Sequence, residues 1–131
     1  MHQPSRSNGK ILIIEDEALV RKALEFRLKR DGYETESATG MADGLFMMQT
    51  GTYDLIITDL VLHNRTGMDI LNAAKKEGKT AVPVIILSAG GLETEVLEAF
   101  RNGADDYINK PFSPWELSMR VKRLIQQPAA A

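Results

Sequence analysis

Three short runs of apolar, mostly β-branched residues constrain this chain more than any other feature: Ile11–Ile14, Leu55–Thr58 and Val82–Leu87. Each is continuously apolar rather than alternating, which is the pattern of a strand buried on both faces. Both faces of a sheet are covered only when helices pack on each side, so the runs predict a parallel sheet inside helical layers. Helical spacing fills the intervals. Residues 17–30 carry Leu19, Val20, Ala23, Leu24, Phe26 and Leu28 as a broad apolar stripe. Further helices are predicted over 40–50, 67–77 and 92–102, and Gly32, Gly51, Gly78 and Gly103 follow these four segments where a helix stops. A fifth begins at Ser113-Pro114-Trp115-Glu116, with Ser as N-cap, Pro at the first helical position and Glu completing a capping box. Tyr33–Ala38 and Asp106–Asn109 read as two weaker strands. Strand and helix therefore alternate five times, and 131 residues suffice for one core. The expected domain spans 10–127, between a polar N-terminal tail (1–9) and a C-terminal tail (128–131).

Ligands of open parallel sheets bind beyond the carboxyl ends of the strands. Glu15 and Asp16 follow the first run, Asp59 the second and Ser88 the third, and Lys110-Pro111 follows the last weak strand. Three carboxylates at one sheet edge repel one another unless a cation intervenes. Oxygen ligands without His or Cys select Mg²⁺, with Mn²⁺ as a substitute. A carboxylate can also attack phosphorus, an ammonium neutralises phosphoryl oxygens, and a hydroxyl donates to them. Together these residues suit phosphoryl transfer.

Composition removes other classes. The absence of cysteine excludes disulfides, thiolate zinc sites and thiol catalysis. Sixteen bases against eighteen acids give no nucleic-acid footprint. No apolar run approaches the roughly 18 residues of a membrane span, and Met1–Lys10 lacks a signal-peptide core, so a cytoplasmic protein is expected.

The four blocks ILIIEDE, LIITDLVL, VIILSAG and GADDYINKPFSPWEL resemble the receiver domains of two-component response regulators, and the likeness runs over residues 10–127. The resemblance implies a flavodoxin-like, doubly wound (βα)₅ fold with a five-stranded parallel sheet in the order 2-1-3-4-5. It implies that Asp59 is the phosphoacceptor and that Glu15, Asp16, Asp59 and the Val61 backbone carbonyl hold Mg²⁺. Ser88 would hydrogen-bond the acyl phosphate, and Lys110 would bridge a phosphoryl oxygen and pair with Asp59 beforehand. The Lys110–Pro111 bond would be cis, and Tyr107 would be a rotating switch aromatic that turns inward as Ser88 moves. A sensor histidine kinase or phosphotransfer protein would be the donor. The read-out surface, and a possible homodimer contact, would be the fourth helix, fifth strand and fifth helix, controlling an output domain, in the first instance a transcriptional one. The alternative is a stand-alone receiver acting through protein contacts.

The chain departs from the family in one loop. His63, Asn64 and Arg65 stand where a Pro often follows the phosphoacceptor by four residues, while Gly67 matches. Val61 and Gly90 offer no polar side chain to orient an attacking water, which implies slow self-dephosphorylation. Gly90 and Gly91, in the loop between the fourth strand and fourth helix, would ease its rearrangement. Asp105, Asp106 and Arg120 resemble charges that pair dimers in the winged-helix class. Trp115 reads either as packing or as an anchor on the output face, and Met41, Met47 and Met48 as core filling. A haloacid-dehalogenase-type hydrolase would need Asp-x-Asp, where this chain has Asp59-Leu60-Val61. A flavodoxin-like cofactor binder would need a Ser/Thr/Gly-rich phosphate loop, where it has Glu15-Asp16-Glu17.

Overall fold

In the β1 strand, Lys10–Ile14, neighbouring isoleucines serve opposite layers: Ile11 and Ile13 enter one core cluster, Leu12 and Ile14 the other. That division runs through the whole computed structural model, which describes residues 7–62, 65–66, 68–75, 82–89 and 93–125. The main sheet contains β1, β2 (Glu34–Ala38), β3 (Leu55–Asp59), β4 (Val84–Ser88) and β5 (Asp106–Asn109), all parallel, in the order β2-β1-β3-β4-β5. The expected doubly wound (βα)₅ topology is the observed one. The helices are α1 (Ala18–Arg30), α2 (Met41–Thr50), α3 (Met68–Ala74), α4 (Glu93–Arg101) and α5 (Pro114–Ile125). Val82 and Pro83 precede β4 rather than belonging to it.

One core layer joins Ile57 and Leu87 to Leu24 and Leu28 of α1 and Leu117 and Val121 of α5. The other joins Ile56 and Ile86 to Met41 of α2, Ile70 and Leu71 of α3 and Ala99 of α4. Each fully buried Leu or Ile contributes about 1.5–3 kcal/mol, so the three central strands anchor the fold. Gly32 and Gly103, at φ +95° and +107°, end α1 and α4 in the left-handed region that side chains resist. Gly51 closes α2 in extended backbone instead. The Glu116 N–H donates to Ser113 Oγ at 3.3 Å as expected, but the Glu116 carboxylate pairs with Arg120, so only half of the capping box forms.

Three features differ from the sequence reading. After β3 the chain makes a small antiparallel ribbon, Val61–Leu62 against Arg65–Thr66. Residues 7–9, assigned to the tail, are tied down: the Asn8 N–H donates to the Gly32 carbonyl at 2.9 Å, and its side-chain amide to the Asp31 carbonyl. Only Leu24 and Leu28 of the α1 stripe are fully buried, while Leu19 and Phe26 are 86% and 71% exposed. His2, His63, Asn64, Gly67, Gly78, Gly90, Gly91 and the C-terminal tail lie outside the described residues.

Candidate functional site

Parallel register delivers the chemistry to one edge. Asp59 ends β3 opposite Leu87, and Ser88 ends β4 opposite Asn109, which precedes Lys110. Glu15 continues β1 by one residue, its N–H donating to the Ala38 carbonyl at 3.0 Å. The Lys110 N–H donates to the Ser88 carbonyl at 2.8 Å, and the Lys110–Pro111 peptide is cis. Backbone pairing inside the sheet thus fixes each residue's position before its side chain acts.

Glu15, Asp59 and Ser88 are buried and Asp16 is half-buried. Lys110 Nζ stands among the carboxylates, 2.6 Å from Asp59 Oδ2, 2.9 Å from Glu15 Oε1 and 3.1 Å from Glu17 Oε1. One carboxylate oxygen from each of Glu15, Asp16, Glu17 and Asp59 lies within 4.8 Å of the others. The Glu17 N–H donates to Glu15 Oε2 at 3.0 Å, and Arg21 Nη1 donates to the Glu15 carbonyl oxygen.

The protonation equilibria record the imbalance. Burial raises the pKa of Glu15 above the usual carboxylate value, the Asp59 charge adds to that, and the Glu17 N–H and Lys110 only partly offset it. Burial alone would lower the pKa of Lys110, but Asp59, Glu15 and Glu17 outweigh it and keep the ammonium charged. Four carboxylates and one ammonium leave a negative surplus. The donors are all oxygen, the spacing is short, and a cation already stands among them. This set fits a hard divalent ion.

Glu17 is a site residue that the strand-end argument passed over. It is the N-cap of α1 rather than a strand end, and the run Glu15-Asp16-Glu17 is the available signal. Leu19 and Phe26 belong to the apolar stripe of α1 but face outward. With Val20, Ala23, Pro111 and Phe112 they line an open groove of about 450 Å³ that reaches Lys110. A stripe wider than a single buried face could have revealed it.

Tyr107 is half-buried against the α2–α3–α4 core layer, and its buried hydroxyl has no hydrogen-bond partner among the described residues. The Val61 backbone lies in the ribbon two residues beyond Asp59. Asp106 is gripped within the chain by Arg120 Nη1, 2.9 and 3.0 Å from its two oxygens, and by Arg123 at 3.2 Å. Asp105 accepts from the Val84 N–H and pairs with Lys75. Trp115 is exposed on α5, as are Leu97 and Phe100 on α4. No helix among the described residues is long and apolar enough to cross a membrane.

The chain matches the response regulator receiver domain family model over residues 11–122. It is 36% identical over 118 residues to the transcriptional regulatory protein ResD of Bacillus subtilis, an alignment covering 90% of this chain and 48% of that protein. The chain thus spans about half the length of the curated relatives it matches. Among solved structures, the receiver domain of the Francisella response regulator 1452 superposes with a TM-score of 0.82 at 31% identity, covering 91% of this chain and 98% of that one. The receiver domain of sensor histidine kinase PA1611 from Pseudomonas aeruginosa, solved with a magnesium ion coordinated in its active site cleft, gives 0.80 at 26% identity, covering 89% and 97%.

Proposed function

The chain belongs to the response regulator receiver domain family of two-component systems, and from that premise we propose that it is a switch thrown by phosphorylation of Asp59. The observation that carries this reading is the 2.6 Å contact between Lys110 Nζ and Asp59 Oδ2 inside a buried, negatively surplus cluster. A partner kinase or phosphotransfer protein presents a phosphohistidine. A carboxylate oxygen of Asp59 attacks phosphorus in line, the P–N bond breaks, and the imidazole leaves with the electron pair. Lys110 then follows the phosphoryl oxygens, and the Ser88 hydroxyl donates to one of them. Mg²⁺, or Mn²⁺ in its place, would be held by Glu15, Asp16, Asp59 and the Val61 carbonyl, and would supply positive charge to the transferring group. The magnesium ion in the active site cleft of the Pseudomonas receiver domain supports a divalent ion in this family's cleft.

The acyl phosphate brings about −2 charge to the ends of β3 and β4. Ser88 moves toward it and Tyr107 responds, so the surface of α4, β5 and α5 changes. This is a population shift driven by a local contact. The exposed Leu97, Phe100 and Trp115 give that surface apolar contact points for an output domain or a second copy. Transcriptional control is the output favoured by the curated relatives, with a stand-alone receiver as the alternative. The groove along α1 offers the donor an apolar seat beside Lys110. Phosphoryl transfer here is a single self-catalysed event rather than enzymatic turnover, in a protein working in the cytoplasm and reversing slowly.

Intact-mass measurement after incubation with acetyl phosphate and Mg²⁺ tests the proposal. The expected result is one phosphoryl group, dependent on Mg²⁺ and absent from Asp59→Asn. A phosphoryl group retained by Asp59→Asn overturns it.

A further inference from the structure

Lys110 Nζ donates to Asp59 and Glu17 and stands in ion-pair contact with Glu15, so it meets three carboxylates, two of them buried. The third, Glu17, is 64% exposed at the mouth of the site and begins α1. A divalent ion taken up by Glu15 and Asp59 must compete with the ammonium for those oxygens, because two cations sharing the same acceptors repel each other. The ammonium yields those oxygens more readily when an acceptor other than Glu15 and Asp59 receives it. Among the described residues that contact Lys110 Nζ, Glu17 is the acceptor on the solvent side.

We propose that Glu17 is a positioning residue for Lys110, drawing the ammonium toward the mouth so that Glu15 and Asp59 can hold the divalent cation. This inference rests on the metal reading of the site given above. Two groups of Glu17 do different work. Its backbone N–H orients Glu15 Oε2 and survives any side-chain substitution, while its carboxylate engages Lys110. Glu17→Gln therefore removes the anchor and leaves the orienting bond in place. Because the side chain is largely exposed, the substitution leaves the core packing untouched.

A simpler role for Glu17 would be that of one more negative charge, attracting the ion through space whatever Lys110 does. Mg²⁺ affinity measured by calorimetry on the full 131-residue chain distinguishes the two, using Glu17→Gln, Lys110→Met and the double variant. Glu17→Gln is expected to raise the Mg²⁺ Kd about 3- to 10-fold in the parent and less than about twofold in the Lys110→Met background. Glu17→Asp keeps the charge but shortens the reach, and it should weaken binding in the same direction. This second variant carries the test should Lys110→Met fail to fold. An unchanged Kd for Glu17→Gln, an equal effect in both backgrounds, or parent-like binding by Glu17→Asp overturns the inference. No Mg²⁺ binding by the parent chain overturns the metal reading and this inference with it.

Discussion

Two buried carboxylates in this molecule have opposite fates. Glu15 lies among three other acidic side chains and shares one ammonium with two of them, Glu17 and Asp59, whereas Asp106 lies between two guanidinium groups. Burial pushes both pKa values up, yet Glu15 ends above the usual carboxylate range and Asp106 below it. The Tyr107 N–H, Arg120 and Arg123 outweigh burial at Asp106, while nothing of that strength is supplied at Glu15. Burial alone therefore does not mark a functional group. A satisfied carboxylate is holding β5 to α5, and an under-compensated cluster is kept ready for positive charge from outside.

The sharpest way to break this contrast is to remove the shared cation. Lys110→Met leaves Glu15 and Asp59 facing each other without their ammonium, and should cost about 3 kcal/mol of metal-free stability. Mg²⁺ should restore part of that loss, as read from urea unfolding with and without the ion. Next in size, Asp106→Asn should cost about 1–2 kcal/mol, discounted because Arg120 and Arg123 are partly exposed, and Mg²⁺ should not restore it. Smallest is Glu15→Gln, which relieves repulsion and should stabilise the metal-free chain by about 1 kcal/mol at pH 7.

The pH dependence of these variants separates the two regions further. The folded-state pKa of Glu15 is raised, so the stability linked to its protonation is complete below the ordinary value of 4.5 and lost as pH rises through the raised value. The advantage of Glu15→Gln should accordingly fade on acidification, once the parent carboxyl is itself protonated. The folded-state pKa of Asp106 is lowered, so its contribution is present above the ordinary 3.8 and lost as pH falls through the lowered value. The deficit of Asp106→Asn should shrink over that acid range. Thermal melts of both variants from pH 7 to pH 3 check the two opposite trends.

Much of this arrangement was legible in the sequence because strand identity and strand ending are local signals. Continuous runs such as Ile11–Ile14 announce burial on both faces, and the next residue then occupies the sheet edge. That signal places Glu15, Asp59 and Ser88, the weaker strand Asp106–Asn109 places Lys110, and backbone pairing carries all four to one sheet edge. The ribbon beyond β3 was not legible, because two-residue pairing depends on hydrogen bonds rather than on apolar pattern. The exposure of Leu19 and Phe26 was not legible, because periodicity gives the width of an apolar stripe without saying which part another element covers. Glu17 escaped notice because its importance comes from a lysine 93 positions away. The pairing of Asp106 with Arg120 and Arg123 within one chain was equally hidden, since charge spacing does not distinguish a partner on the same molecule from one on a second copy.

Thermal unfolding against Mg²⁺ concentration tests most directly whether the negative surplus at the strand ends is the ion's seat. At ten times the dissociation constant, the parent chain should gain about 1.4 kcal/mol, a shift of a few degrees. Asp106→Asn should show the same gain from its lower baseline, and Asp59→Asn should lose most of it. Equal Mg²⁺ stabilisation of Asp59→Asn and the parent would contradict the account, because the ion would then be binding somewhere other than the cluster built around Asp59.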